Sequence, residues 1–206
     1  MPESHHRTLP RSFYDRPTLD VAADLIGKQI VFNRSDGRLA ARIVEVEAYV
    51  GQDDPACHAA RGQTKRNAVM FGRPGHAYIY FIYGMHHCLN FVTEREGFPA
   101  AVLVRAAEPS EGENLMRGSA IDKFRPELLR GPGKFCRAFD LTREQNGVDL
   151  CGGCLFVAES PLSTVRVGRS TRIGIRTGVD LLWRFYDEES PAVSGPNRIL
   201  RAKELQ

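Results

Sequence analysis

Glu47 is the carboxylate of this sequence that is best placed for acid/base chemistry. It lies on an otherwise apolar run, and Tyr49 follows two residues later. If the run is a β-strand, alternation puts both side chains on one face. A carboxylate in a partly desolvated pocket can serve as a general base. Alternation alone leaves a second interpretation open, in which Glu47 lies on the solvated face of an edge strand.

Residues 55–93, just after this run, contain no Asp or Glu, although the chain has 25 acidic residues. They hold four of the six histidines and a set of basic and aromatic side chains: Arg61, Lys65, Arg66, Arg73, Tyr78, Tyr80 and Tyr83. A cationic, aromatic surface can bind a phosphate backbone and stack a base. The alternatives are a solvated basic face for the charges and cross-strand packing for the tyrosines.

Two further basic features are candidates for phosphate binding. Residues 160–186 carry five arginines, among them Arg172, against Asp180 as the single acid. Residues 131–134 read Gly-Pro-Gly-Lys, but they lack the spacing and the following Ser or Thr of a nucleotide-binding phosphate loop, which excludes an NTPase. A helix start that presents Lys134 to one phosphate and a simple helix-start turn both fit.

The histidines and cysteines raise the question of a metal site. The relevant residues are Cys57, His58, His76, His86, His87 and Cys88. Their spacing matches no standard zinc pattern, and residues 151–154 form a single CxxC without a second pair. No cysteine has an obvious base or helix N-terminus to activate its thiol. We therefore expect neither a structural zinc nor a cysteine nucleophile.

A sheet must bring these residues together. The sequence predicts strands over residues 28–33, 38–50, 77–83, 86–93, 100–107, 155–158 and 164–175. It predicts helices over residues 18–27, after a capping box that opens at Ser110, and after Gly133. Strands dominate the middle of the chain, their connections are of the hairpin type, and helices lie towards both ends. This pattern is typical of an α+β domain with a mainly antiparallel sheet.

Strand parity predicts which side chains share a face. In the strand over 38–50, Ile43 and Glu45 lie with Glu47 and Tyr49.

Parity in the next hairpin puts Tyr78 and Tyr80 on one face and Tyr83 on the other. Asn90 shares a face with Cys88. A polar group in an apolar strand must be paired or functional, and an internal hydrogen bond would satisfy Asn90 equally well.

Length and composition are those of an ordinary globular domain. At 206 residues, with 42% hydrophobic and 26% charged residues, we expect a flexible N-terminus over 1–10 and one folded domain over 11–200. The net charge of +3 is too small to indicate a polyanionic partner by itself. Five widely spaced cysteines and no signal peptide predict reduced thiols in the cytoplasm. No apolar run approaches the roughly 20 residues of a membrane span, and nothing demands more than a monomer.

Taken in order, these segments resemble the alkyladenine (3-methyladenine) DNA glycosylase family, in its compact bacterial form. The matching stretches are residues 45–49, 54–58, 64–71, 74–90, 104–109, 131–136 and 184–186. The resemblance implies a single α+β domain with a curved, mainly antiparallel sheet. It also implies an enzyme that flips an alkylated or deaminated purine out of duplex DNA and hydrolyses its N-glycosidic bond.

The resemblance implies catalytic and pocket residues. Glu47 matches the general base that activates a water to attack C1′, and Arg105 matches a basic residue beside it. The pocket for the flipped base matches Tyr49, His58, Tyr80 and Asn90. Asn90 is also expected to disfavour guanine by crowding its 2-amino group.

Contacts with the rest of the DNA are expected from other residues. Tyr83 matches the side chain that wedges into the gap left in the base stack. For the DNA backbone we predict contacts from Arg66, Arg73, Lys134 and Arg172. We expect the enzyme to act in the cytoplasm with the nucleoid, or in the nucleus of a eukaryotic host.

An N-alkylated, cationic purine leaves readily, so a positioned water, a carboxylate and a selective pocket suffice. No metal or organic cofactor is expected, and without a lysine at position 47 the enzyme is expected to have no lyase activity. Two rivals remain open on the sequence alone: a non-catalytic nucleic-acid-binding module with the same surface, and a zinc-dependent hydrolase. The sequence does not rank the lesions, including hypoxanthine.

Overall fold

The computed structural model describes residues 7–117, 125–160 and 165–195. Its strands are β1 Gln29–Arg34, β2 Gly37–Val50, β3 Ala77–Ile82, β4 His86–Val92, β5 Ala100–Glu111, β6 Leu155–Ala158, β7 Val167–Ser170 and β8 Arg184–Asp187. Its α-helices are α1 Arg11–Tyr14, α2 Thr18–Leu25, α3 Glu113–Arg117, α4 Arg125–Leu128 and α5 Pro132–Ala138, with short 3₁₀ turns at Ala68–Phe71 and Arg143–Gln145.

One eight-stranded sheet, antiparallel at every described pairing, organises the domain. Its strand order is β3-β4-β5-β2-β1-β6, with β8 beside β2 and β7 beside β8. This confirms the predicted α+β class with a mainly antiparallel sheet. None of the helices in the described part of the chain has both the length and the apolar character needed to cross a bilayer.

Strand β2 lies in the interior of the sheet. One edge pairs with β5 along almost its whole length, while the other pairs first with β1 and then with β8. Glu47 lies between Leu103 of β5 and Arg184 of β8, and its side chain is fully buried. The interpretation of Glu47 as a solvated edge-strand residue is therefore excluded.

Two irregularities in the β2–β5 pairing bend the sheet beside Glu47. The register skips Val44 on β2 and Arg105 on β5. A bulge of this kind adds a residue to one strand and increases its twist. Because Val44 is skipped in the register, Ile43 packs in the main core, as Val46 does. The predicted placement of Ile43 on the face of Glu47 is therefore wrong.

The main core lies on one face of the sheet. Helices α2 and α5 pack there against β2, β4 and β5. The core includes alternate residues of the central strands: Val46, Ala48, Ala77, Ile79, Leu89, Phe91, Val102 and Val104. The opposite face, which carries Glu45, Glu47, Asn90 and Arg105, is called the polar face below. Because one face of the sheet is apolar and buried, the strand register is fixed. A slip of one residue would exchange the two faces.

Several elements differ from the sequence prediction. Strand β5 continues to Glu111, which pairs with Ala40, so no helix opens at Ser110 and α3 begins at Glu113. The strand predicted over 164–175 is reduced to β7, and residue 164 lies outside the described residues. Strand β8 was not predicted.

The start of the chain is partly tied to the sheet. Residues 1–6 of the segment expected to be flexible lie outside the described residues. Thr8 bridges to Ala158, and the N–H of Leu9 donates to the carbonyl of Val157 at 2.8 Å. Leu9 is buried, so burial of this apolar side chain holds the segment and includes Thr8 and Leu9 in the folded domain.

Candidate active site

A row of paired residues crosses five strands on the polar face. Tyr78 pairs with Asn90, Asn90 with Leu103, Leu103 with Glu47, and Glu47 with Arg184. Residues directly opposite each other in antiparallel strands point to the same face. The sheet register thus aligns residues from distant parts of the sequence around Glu47.

Glu47 is held by two hydrogen bonds and one ion pair although it has no solvent exposure. Its Oε1 accepts the backbone N–H of Ile173 at 2.7 Å, and its Oε2 accepts the phenol of Tyr49 at 2.9 Å. The guanidinium of Arg105 lies 3.2 Å from Oε2. These donors compensate the negative charge for its lost hydration and fix the direction of both oxygens.

Tyr49 is a persistent donor in this arrangement. Burial, followed by the negative charge of Glu47, raises the pKa of the Tyr49 phenol well above its usual value. The phenol therefore keeps its proton at any pH at which the protein would work, and Glu47 keeps this partner.

A second buried carboxylate, Glu45, anchors the arginine beside Glu47. Its Oε1 accepts from Nε of Arg105 at 3.1 Å and from Nε of Arg184 at 2.7 Å. Ser194 adds a backbone N–H at 2.6 Å and a hydroxyl at 2.9 Å. Arg105 therefore bridges two buried carboxylates, and its guanidinium is fixed from both sides.

A cavity of about 490 Å³ lies on the polar face beside this network. Its lining includes Tyr49, His58, Tyr78, Tyr80, Asn90, Arg105 and Ile173. Three of these, Tyr49, Arg105 and Ile173, are the hydrogen-bond and ion-pair partners of Glu47. The carboxylate therefore lies directly behind the pocket wall, one hydrogen bond from the residues that face the cavity. The volume is that of a small-molecule or nucleotide-base site.

Aromatic rings form one wall of this cavity. His58 stands edge-on to Tyr80, with ring centroids 4.5 Å apart, and its Nδ1 lies 3.0 Å from the hydroxyl of Tyr78. Burial of the imidazole, followed by the positive charge of Arg66, lowers the pKa of His58 to about 4. His58 is thus a neutral partner near pH 7, so this wall carries no positive charge from the imidazole.

Asn90 lines the cavity, and its side-chain amide is hydrogen-bonded within the protein. Its Nδ2 donates to the carbonyl of Tyr78 at 3.0 Å and to that of Cys88 at 3.4 Å. The internal hydrogen bonds that the sequence allowed are therefore present, and Asn90 also lines the cavity. The two bonds leave its side chain fixed in position.

Tyr83 occupies the tip of the β3–β4 hairpin at the rim of the cavity. Tyr83 and Gly84 have φ of 54° and 68°, and the N–H of Met85 donates to the carbonyl of Ile82. Two successive positive φ values are the pattern of a type I′ turn. Tyr83 is 80% exposed, so the turn, and not strand parity, sets where its ring points.

Comparison with known proteins gives this site a context. The chain matches the sequence model of methylpurine-DNA glycosylases over residues 12–191. The chain belongs to this family. It is therefore a DNA glycosylase, a hydrolase of N-glycosyl bonds, and the class predicted from the sequence is confirmed.

Three relatives show how far the likeness extends, each provisionally named a 3-methyladenine DNA glycosylase. The protein of Methanocella arvoryzae is 55% identical over 192 residues, covering 90% of this chain and 95% of the relative. That of Sodalis glossinidius is 49% identical over 86% of this chain and 95% of its own. That of Alkaliphilus oremlandii is 42% identical over 90% of this chain and 98% of its own.

The basic residues of this glycosylase that were predicted to bind the DNA backbone differ from one another in exposure and in their partners. Arg66 is exposed, with its guanidinium 5.3 Å from the centre of the Tyr80 ring at the aromatic wall. Lys134 follows two residues that line the cavity, and its Nζ donates to Glu127 at 3.0 Å. Arg73 is exposed next to His76 and is not among the residues lining the cavity.

Arg172 does not fit the prediction of a backbone contact. Its side chain is fully buried and forms a two-pronged ion pair with Asp54, at 2.6 and 2.8 Å. A buried guanidinium with a paired carboxylate is not available to a phosphate. The prediction is wrong because a run of basic residues does not show which members have acidic partners elsewhere in the chain.

The cysteines and histidines of the glycosylase form no cluster suited to a metal. Within residues 7–117, 125–160 and 165–195, no three His, Cys, Asp or Glu side chains converge as a metal site would require. All five cysteines are free. Burial raises the pKa of the Cys88 thiol in the cavity wall, which disfavours the reactive thiolate.

Three functional contributions were missed by sequence reasoning. The backbone N–H of Ile173 and the segment up to Thr177 complete the cavity, and Ser194 completes the Glu45 site. Backbone donors have no residue-type signal, so only the fold reveals them. Arg176, which lines the cavity and is exposed, was visible as a member of the second basic run.

Proposed function

We propose that this cavity receives an alkylated or deaminated purine flipped out of duplex DNA, and that Glu47 activates the water that displaces it. The observation that supports this most is the position of Glu47. It is buried immediately behind the cavity wall, and its two hydrogen-bond donors and its ion-pair partner all line the cavity.

The proposed reaction is a single hydrolytic displacement. The water oxygen forms a bond to C1′, its proton passes to Glu47, and the N-glycosidic bond breaks with its electron pair leaving on the base. A carboxylate has about four lone-pair directions. The two hydrogen bonds from Tyr49 and Ile173 leave lone-pair directions for the water, and Arg105 beside Oε2 stabilises the negative charge until the proton arrives. A cationic alkylated base needs little further help to leave.

The aromatic wall and Asn90 are proposed to select the base. Tyr80 and the neutral His58 offer faces and edges on which a purine can stack. Asn90 is held by two backbone carbonyls, so it would not move aside for the 2-amino group of guanine. A fixed polar obstacle discriminates more strongly than a mobile one.

The exposed residues around the cavity are proposed to hold the duplex. Tyr83 would fill the space of the flipped nucleotide, because its ring is exposed at the tip of a hairpin beside the cavity. Arg66 and Arg176, which lie at the wall and the mouth, would contact flanking phosphates. Lys134 would contact a phosphate after giving up its ion pair with Glu127. Arg73 would contact the backbone farther from the lesion.

The test is a base-release assay on duplexes that contain 3-methyladenine, ethenoadenine or hypoxanthine, with undamaged DNA as reference. We expect Glu47→Gln to lower the single-turnover rate by roughly 100-fold or more, the usual contribution of a positioned base. Binding to lesion DNA should persist, because Glu47 makes no predicted contact with the backbone.

Glu94→Gln is the matched control. Glu94 also accepts a backbone N–H and a hydroxyl, both from Thr18, but it lies outside the cavity lining. Its rate should equal that of the wild type. Folded wild-type protein that binds but releases none of the three bases would refute the proposal and favour a binding module. Full turnover by Glu47→Gln would remove Glu47 from the role of base.

A further inference from the structure

The buried ion pair between Asp54 and Arg172 joins two segments that both contribute residues to the cavity wall. Asp54 opens the segment after β2, where its carboxylate also accepts the N–H groups of Val50 at 3.2 Å and Ala56 at 3.1 Å. Arg172 opens the segment before β8 and donates to the carbonyl of Ala48 at 3.0 Å. The pair therefore fastens both segments to the end of β2.

Arg172 also touches the groups that hold Glu47. Its guanidinium lies 4.7 Å from the centre of the Tyr49 ring, on the side chain that donates to Oε2. The next residue, Ile173, donates its N–H to Oε1. Both hydrogen-bond donors to Glu47 are thus in contact with Arg172 or covalently joined to it.

We propose that Asp54 and Arg172 form a positioning unit for Glu47, holding the Tyr49 ring and the Ile173 amide so that the carboxylate keeps one orientation. This inference rests on the proposed role of Glu47 as general base. A buried ion pair contributes little net stability, because desolvation of both charges offsets their attraction. Its value here is geometric, since a planar guanidinium can engage a carboxylate, a carbonyl and a ring face at once.

The first test is Arg172→Lys, which keeps the charge but loses the planar fork. We expect the single-turnover rate per active site to fall roughly 10- to 100-fold, the usual result of a small misplacement. The dissociation constant for lesion DNA should change by no more than about threefold, because Arg172 is buried away from the DNA. Titration of active sites separates slow turnover from partial unfolding.

Arg42→Lys is the control for loss of an arginine ion pair. Arg42 binds Asp187 at 2.7 Å and Glu108 at 2.8 Å, and none of these residues lines the cavity. It should lower the urea midpoint of unfolding and leave the rate per active site unchanged. A merely structural Arg172 would behave in the same way.

A second variant keeps the inference testable if Arg172→Lys does not fold. A Cβ on Gly178 would lie 3.0 Å from Nη2 of Arg172, so Gly178→Ala presses on the pair without removing it. Gly97→Ala is its control, because Gly97 also has positive φ but its Cβ would meet nothing within 4 Å. We expect a lower rate per active site for Gly178→Ala and an unchanged rate for Gly97→Ala.

The outcomes separate the two proposals. If wild-type protein releases no damaged base, the proposed function fails, and with it the inference. If wild-type protein is active and Arg172→Lys turns over like Arg42→Lys, or Gly178→Ala like Gly97→Ala, only the positioning unit is refuted.

Discussion

The phenol of Tyr49 donates a 2.9 Å hydrogen bond to Glu47, two residues earlier on the same strand. Strand alternation makes this contact possible, because residues two apart point to the same face. The bond joins a residue of the cavity wall to the buried carboxylate behind it.

Tyr49→Phe should lower the single-turnover rate of base release roughly 10- to 100-fold. A hydrogen bond to a charged group contributes about 1.5–3 kcal/mol, and its loss leaves Oε2 with Arg105 alone. Tyr14→Phe is the control, since the buried Tyr14 hydroxyl has no hydrogen-bond partner among the described residues. Equal rates for the two variants would show that the Tyr49 hydroxyl does not act on Glu47.

Glu45→Gln should destabilise the fold by about 3–5 kcal/mol, because it leaves the guanidinium groups of Arg105 and Arg184 buried without their shared carboxylate. Urea unfolding measures this as a lower midpoint at unchanged slope. Glu113→Gln, in a partly exposed i,i+4 pair with Arg117 on a short helix, should cost less than about 1 kcal/mol. Similar losses in both variants would contradict the account of the Glu45 network.

Tyr83→Asn should weaken binding to lesion duplex about 10-fold or more, because filling the vacated stack offsets an unstacking cost of a few kcal/mol. Asparagine tolerates the positive φ of this turn, so the change removes the ring without adding strain. The unfolding free energy should stay within about 0.5 kcal/mol, as for the exposed Val167→Ala. A loss of stability with unchanged DNA affinity would identify Tyr83 as a packing residue.

His58 should make the fold less stable as the pH falls from about 6.5 to 4. Between the ordinary histidine pKa and the folded value of about 4, the unfolded chain binds a proton that the folded chain does not. This contribution is fully present above pH 6.5 and is lost towards pH 4. Urea midpoints at pH 5 and pH 7 should therefore differ less for His58→Gln than for wild type.

An NMR titration of the His58 ring tests the cause of this shift directly. Arg66→Gln should raise the pKa of His58, because one of the charges that oppose protonation is removed. A wild-type pKa near the ordinary histidine value would contradict the described packing of His58 against Tyr78 and Tyr80.

The sequence could predict side-chain pairs that depend on short-range periodicity. It correctly placed Glu47 and Tyr49 on one face, and most strands lie within a few residues of their predicted bounds. It could not predict the skipped register at Val44, which moves Ile43 to the core, because bulges depend on pairing with a distant strand.

Long-range partners explain the other differences. Nothing near Arg172 in the sequence shows that Asp54 neutralises it, and the amide of Ile173 is chemically like any other. The sequence therefore revealed which residue types could do the chemistry, whereas the residues that orient them depend on register and loop closure.

The bonds between Glu45 and Ser194 join residues that lie 149 positions apart. At about 5–20 residues per second of synthesis, Glu45 is added to the chain roughly 7–30 s before Ser194. Throughout that interval Glu45, which holds Arg105, lacks the two hydrogen bonds from Ser194. A nascent chain therefore cannot complete the hydrogen bonds around Glu45, or the full support of Arg105, before Ser194 has been translated.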